Sequence, residues 1–439
     1  MNDDKRVPRI VIVGGGAGGL ELATRLGDRL GRRKKAEVVL VDSQRTHIWK
    51  PLLHQLAAGS YDSHAEEIEY LAQARWHHFH FRQGRLTGLD RAQREVLIAP
   101  LLDAAGREII PAQRLAYDYL VLSIGSHTND FGTPGVAEHA ICLDSPAAAR
   151  HFHERLIDAC LRAHNLPQEA GRGRMTVAII GAGATGVELA AELHATAQVL
   201  MSFGLDHVDP ERDLKIVLVE ASQRILAALP ERLSVAAASE LRKLSVEIHS
   251  NERVVEVSEQ GVRMASGAFV PSTLTVWAAG IKAADLLQDL DGLESNRINQ
   301  LVVEPTLQTT RDERIFAFGD CAACPNGHGG WVPARAQAAH QQADLLRRNI
   351  ERAIAGKSLQ PFSFQDHGSL VSLANYSSVG SLMGSLARGS LFVEGQLAKL
   401  MYWGLHKQHQ LALSGWMRTI LITLSEWLDK VHRPKIKLH

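Results

Sequence analysis

Glycines and a terminal carboxylate recur twice in this chain at one spacing. Residues 9–26 read RIVIVGGGAGGLELATRL: an apolar β-branched run, then Gly14-x-Gly16-x-x-Gly19, then a helical pattern. A strand feeding a helix through such a turn can hold a pyrophosphate. One glycine permits the tight turn, one admits the phosphates, and one lets helix and strand close up. The helix N-terminus adds free N–H groups and a favourable dipole. The next strand, EVVLVD, ends in Asp42, placed to accept hydrogen bonds from a ribose. The whole unit returns at 175–193, MTVAIIGAGATGVELAAEL, with Gly181, Gly183 and Gly186, and LKIVLVE after it ends in Glu220. A complete unit found twice makes coincidence remote. The chemistry implied is two dinucleotides, one that stays and one that visits. A carboxylate at Glu220 accepts from an NADH 2′-hydroxyl and repels an NADPH 2′-phosphate. Arg224, close by, is the residue type that would bind that phosphate, so the two point in opposite directions and the carboxylate favours NADH.

The elements that must position these residues are parallel strands alternating with helices, an α/β architecture. Two further strands, YDYLVLSIGSHT (117–128) and STLTVWAAGIKA (272–283), end in small-residue turns at Gly125 and Gly280. With 439 residues, two or three domains are expected. Forty-eight basic residues balance forty-eight acidic ones, so nothing draws the chain as a whole to nucleic acid. Four cysteines argue against a disulfide framework and fit a reducing compartment. The opening MNDDKRVP is charged and runs straight into a strand, which reads as cytoplasmic synthesis without a signal peptide.

Other chemistry-bearing residues are weaker signals. Cys321-x-x-Cys324 has no second Cys/His pair at ligand spacing, so no metal site is expected, and the pair reads as small packing residues. The 21 histidines are scattered as ordinary strand or surface residues. WVPARAQAAHQQADLL (331–346) predicts a helix beginning near Pro333, with Gln337 and Gln341 one turn apart on one face. Two such amides fit quinone carbonyls, a polar helix face or a cap on a ring cofactor equally well.

The duplicated fingerprint resembles the two-dinucleotide-binding-domain flavoproteins. TTRDERIFAFGDCA (309–322) is similar to that family's second FAD motif. The resemblance implies non-covalent FAD in the first unit, NAD(P)H in the second, Asp320 on the ribityl chain, and a helix after Asp320 aimed at the flavin. Disulfide reductases of this group carry CxxxxC after the first fingerprint, whereas WKPLLHQLAAG (49–59) holds no cysteine. AQAAHQ, GSHTNDFGTPG (125–135), GAGATGVELAAEL and the ending LHKQHQLALSGWMRTI…RPKIKLH resemble the type II NADH dehydrogenases, single-subunit NADH:quinone oxidoreductases, over nearly the whole chain. That resemblance implies a respiratory enzyme that pumps no protons. It places Gly125 and Asn129 near FAD, Glu188 at the nicotinamide–flavin contact and Gln337 and Gln341 at the quinone. It also implies a peripheral position on the cytoplasmic face of the inner membrane, and a homodimer. The alternatives are a sulfide:quinone oxidoreductase, which needs cysteines on both flavin faces, and a slow-turnover NADH-sensing flavoprotein. The expected domains are FAD-binding over 1–140 and 284–350, NAD(H)-binding over 141–283, and a C-terminal region over 351–439 with two short strands and amphipathic membrane-surface helices.

LALSGWMRTILITLSEWL (411–428) is the most lipid-like stretch. As one helix it would extend about 27 Å, nearly a bilayer core. Leu413, Trp416, Met417, Ile420, Leu421, Leu424, Trp427 and Leu428 form a stripe, with Arg418 and Glu426 opposite. Both charges in lipid would cost several kcal/mol, so the expectation is a helix lying in the interface with both in water. Residues 399–439 carry seven basic and two acidic side chains and three of the seven tryptophans, the composition of a segment on an anionic leaflet.

Overall fold

A computed structural model of the chain describes residues 6–61, 67–165, 175–202, 214–327, 329–374, 376–382 and 391–432. The loop expected at 164–175 and the basic ending RPKIKLH lie largely outside them. In chain order the fold forms β1 (Arg9–Val13), α1 (Ala17–Leu26), β2 (Glu37–Asp42), α2 (Leu53–Ala58), β3 (His80–Gln83), β4 (Tyr119–Leu122), β5 (Ile141–Cys142) and β6 (Met175–Ile180). It continues with α3 (Ala184–Ser202), β7 (Leu214–Glu220), β8 (Glu247–Ser250), β9 (Leu274–Trp277), β10 (Gln308–Thr309), β11 (Asp312–Ala317), α4 (Ala336–Ile354), β12 (Gly368–Leu373), β13 (Ser377–Leu382), β14 (Leu391–Glu394) and α5 (Gln396–His432).

Two compact units result. The first comprises 1–49, 66–127 and 281–365; the second comprises 50–65, 128–280 and 366–439. These boundaries differ from the expected ones. Residues 128–140 and the C-terminal elements group with the second unit, and 351–365 groups with the first.

The first unit is built on a six-stranded sheet in the order β10-β11-β4-β1-β2-β3, parallel except at β10. Ile10, Val11, Ile12 and the Val-rich β2 are buried on both faces, as a covered parallel sheet requires. The order reverses between β1 and β4, and ligands of such sheets bind beyond the strand ends at that switch point. Asp320 itself sits in a short 3₁₀ turn, Gly319–Cys321, and the helix that follows it, α4, begins at Ala336. Gly319 takes φ +71, and its amide is bonded by the Gln342 side chain, so the chain turns away before it can coil.

The second unit repeats the arrangement in five strands, β5-β9-β6-β7-β8, all parallel. Its core gathers Ala178, Val217, Val262 and Trp277. The C-terminal strands number three, β12-β13-β14, antiparallel, and both α3 and α5 pack on them.

The tail corrects the single-helix expectation. Gly415 holds φ 72 and ψ 169 and breaks α5 into two helices. Leu413 is fully buried in the protein. Glu426 is not turned to water: it accepts from Lys407 Nζ at 2.5 Å and Gln410 Nε2 at 3.3 Å across the break. Pairing is what a carboxylate drawn below the surface needs. Arg418 is exposed, as expected. No helix among the described residues is long and apolar enough to cross a membrane.

Candidate functional site

The first fingerprint builds a cradle. Gly14 takes φ +102, and a Cβ there would stand 2.5 Å from the Ser123 carbonyl oxygen. A Cβ on Gly19 would fall 1.9 Å from the Gly14 carbonyl oxygen, which is how α1 closes on β1. Gly16 differs. It has ordinary backbone angles, and a Cβ would meet nothing within 4 Å, so the space above the N-terminus of α1 is open. An N-terminus facing open space offers unsatisfied N–H groups to a phosphate. Asp42 accepts from the Gly15 amide at 2.6 Å and the Gln44 amide at 2.7 Å, which fixes its carboxylate at the end of β2. Tyr70 OH donates to the Gly15 carbonyl at 2.8 Å, and His47 Nδ1 lies 3.0 Å from the same oxygen. Asp320 accepts from Ser126 Oγ at 2.7 Å, next to Gly125.

The second fingerprint repeats these relations residue for residue. Gly181 takes φ +100, a Cβ on Gly186 would lie 2.0 Å from the Gly181 carbonyl oxygen, and Gly183 faces open space. Glu220 accepts from the Ala182 amide at 2.7 Å and the Ser222 amide at 2.8 Å. Beside it lies a cavity of about 720 Å³ lined by Gly183, Glu220, Ala227, Arg253, Trp277 and Gly280 among others, within the range of small-molecule sites. Arg224 is committed elsewhere: its guanidinium bonds the Leu226 and Ala227 carbonyls at 3.3 and 3.0 Å and Ser234 Oγ. Asn129, expected near FAD, stands in this unit. Its amide reaches the Gly280 carbonyl at 3.3 Å, and its own carbonyl accepts from Trp277 Nε1 at 2.9 Å.

Glu188, one turn into α3, is buried. Oε1 accepts from the Ser372 amide at 3.0 Å, and Oε2 lies 3.4 Å from Nδ1 of buried His54. Burial pushes the Glu188 carboxyl up to about 8 and the His54 imidazole down to about 4. Burial thus favours the uncharged form of each group. Glu192 is also raised by burial and takes a bond from Ser60 Oγ. Tyr402 OH is buried without a hydrogen-bond partner, and the same two carboxylates act on it. This buried cluster was missed in the sequence, although Glu188 and Glu192 sit one turn apart in an otherwise apolar helix pattern.

Gln337 and Gln341 lie one turn apart on α4, as expected, each half-buried. The Gln341 amide closes a two-way bond with the backbone of Gln365, donating at 2.8 Å and accepting at 3.0 Å. Cys321 and Cys324 are buried, and burial pushes their thiols up to about 12 and 11. Thiols held in the protonated form are poor nucleophiles. Among the described residues, no group of three or more His, Cys, Asp or Glu side chains could hold a metal.

Residues 8–343 match the family model "Pyridine nucleotide-disulphide oxidoreductase". The chain is 43% identical to the type II NADH:quinone oxidoreductase of Haemophilus influenzae, over 98% of this chain and 99% of that one. The chain belongs to the type II NADH:quinone oxidoreductases. As a member of that family it is a flavin-dependent enzyme that uses FAD and NADH, and the two cradles fit two dinucleotides. Among solved structures, the Plasmodium falciparum protein NDH2 in complex with NADH superposes with a TM-score of 0.81 at 18% identity, covering 98% of this chain and all of the other. The sulfide:quinone oxidoreductase of Aquifex aeolicus gives 0.72 at 15% identity, covering 98% and 96%. At such identities these likenesses show the fold alone.

Proposed function

We propose that this chain carries electrons from NADH to a membrane quinone without pumping protons, with the labour divided between its cradles. The first, with Gly14, Gly16, Gly19, Asp42, Gly125 and Asp320, holds FAD non-covalently. The second, with Gly181, Gly183, Gly186, Glu220, Gly280 and Asn129, takes NADH. The observation that carries the reading is the doubled geometry, two open glycines each beside a fixed carboxylate. Held in the first cradle, a flavin would supply the hydride acceptor for nicotinamide and the two-electron donor for the quinone. Glu220 accepts from the ribose hydroxyls and repels a 2′-phosphate, while Arg224 is occupied in its own loop. Burial favours the protonated form of Glu188, whose Oε2 faces His54.

Gln337 and Gln341 donate to the quinone carbonyls, and Gln341 exchanges its bond to Gln365 for that role. In a Gln337→Ala/Gln341→Ala enzyme, NADH should still bleach the flavin in stopped flow, while steady-state quinone reduction falls about a hundredfold. Equal loss of both half-reactions would sink the assignment.

The second half of α5 is proposed to lie on an anionic bilayer at the cytoplasmic face of the inner membrane. Trp416, Met417, Ile420, Leu421, Leu424, Trp427 and Leu428 are each at least half exposed, a continuous apolar face rimmed by exposed Arg418. Leu421→Glu/Leu424→Glu should abolish flotation with vesicles and leave NADH:ferricyanide turnover intact; flotation like wild type would rule out this face. A homodimer belongs to the same reading, and sedimentation would test it.

A further inference from the structure

The first unit carries a second concave site, and its lining is basic. A cavity of about 390 Å³ lies between the turn Gly27–Gly31, the last turns of α4 and the segment that follows. Arg29, Arg347, Arg348, Arg352 and Lys357 line it, with Glu351 as the one carboxylate. The carboxylates nearby are oversubscribed. Asp344 serves Arg25 at 2.8 Å, Arg347 at 3.4 Å and Arg348. Glu351 serves Arg29 at 3.2 Å and Arg347 at 3.5 Å. Arg352 has only a backbone carbonyl, that of Ser358 at 2.5 Å. The Lys357 side chain is exposed and forms no ion pair among the described residues. The five cations that line the cavity thus have Glu351 among them and Asp344 beside them, while Arg25 also pairs with Glu21 at 2.6 Å, in a chain whose total charge is zero.

The C-terminal end of α4 attracts cations through its dipole, but that effect fades within a turn and accounts for one or two. Like charges converging on a hollow cost free energy unless an anion joins them. Arginine forks match the tetrahedral oxygens of phosphate in particular. We infer that this cavity is a binding site for a phosphate-bearing ligand, separate from both dinucleotide cradles. Lys357 and Arg352 supply the charges not already spent on carboxylates, and Arg348 and Arg29 flank them. Two sources offer this chemistry, a soluble phosphate compound and an anionic lipid headgroup.

The test uses the full-length, FAD-loaded enzyme and an Arg352→Ala/Lys357→Ala variant. Both are titrated calorimetrically with sodium pyrophosphate in the presence of saturating NAD+, which fills the second cradle, and both are floated with vesicles of phosphatidylglycerol in phosphatidylcholine. Pyrophosphate binding weakened at least tenfold in the variant supports the site with a soluble ligand. No pyrophosphate binding by either protein, with variant flotation reduced at least threefold on phosphatidylglycerol and unchanged on pure phosphatidylcholine, supports it with a lipid ligand. Equal behaviour of the two proteins in both assays overturns the inference. NADH:ferricyanide turnover equal to wild type shows that the variant is folded. If it is lost, Lys357→Glu, on an exposed side chain, replaces the double variant in the same two assays.

Discussion

The two glycine cradles share one backbone and differ in what stands around it. In the first, the residue between the turn glycine and the open glycine is Gly15, and a Cβ there would lie 2.5 Å from the Tyr70 hydroxyl. Tyr70 and His47 both close on the Gly15 carbonyl, so the turn is pinned from behind. In the second, the same place is held by Ala182, and an open cavity of about 720 Å³ lies beside it, lined by Ala221, Ala227 and Ala228 as well as Arg253 and Trp277. The pinned cradle suits a ligand that is bound once and kept. The roomy one suits a ligand that must enter and leave every turnover. Chemistry that needs a resident and a visitor can thus be written on one motif by changing its neighbours.

The largest effect should come from the positions at which the two cradles are alike. Gly19→Ala drives a methyl into the Gly14 carbonyl, and Gly186→Ala does the same at Gly181. Each should cost more than about 4 kcal/mol, since backbone rather than a flexible side chain must yield. Gly19→Ala is expected to purify without flavin absorbance. Gly186→Ala should keep its flavin and lose NADH binding. Normal flavin in the first variant would break the equivalence.

A smaller effect separates the two regions by pH, because among the described residues only the second contains a buried carboxyl raised to about 8 beside a histidine lowered to about 4. The folded form keeps the Glu188 proton where the unfolded chain releases it, so stability falls as pH rises from about 4.5 through about 8. His54 works the other way, and its contribution falls as pH drops from about 6.5 through about 4. The two oppose each other below pH 6.5, which leaves a net loss of about 1–2 kcal/mol between pH 6.5 and 8. Calorimetric melting should show Tm falling across that window in the wild type and holding level in Glu188→Gln. A variant that keeps the slope would place its origin elsewhere.

Both cradles were legible in the sequence because their determinants are local: a turn that tolerates no Cβ and a carboxylate one strand later. What escaped was set by distant parts of the chain. His54 reaches Glu188 from 134 positions away, and no periodicity records that meeting. Tyr402 arrives at the same carboxylates from the tail. The tail itself was misread at two residues. Gly415 sat inside a good apolar stripe, and helical spacing says nothing of a single left-handed residue that breaks it. Periodicity places Glu426 on the wet face, because its partner Lys407 lies in the preceding helix, beyond the reach of local spacing.

The division of labour is tested most directly at the two open glycines. Neither Gly16 nor Gly183 is strained, and a Cβ on either meets only empty space, so Ala at each should leave the protein folded and obstruct only a ligand. Measured side by side, flavin content per chain and KM for NADH should dissociate. Gly16→Ala should lose most of its FAD. Gly183→Ala should keep a full complement and show a KM for NADH raised at least tenfold. The opposite pattern, or one in which both variants lose flavin equally, would contradict the assignment of one cradle to the resident and the other to the visitor.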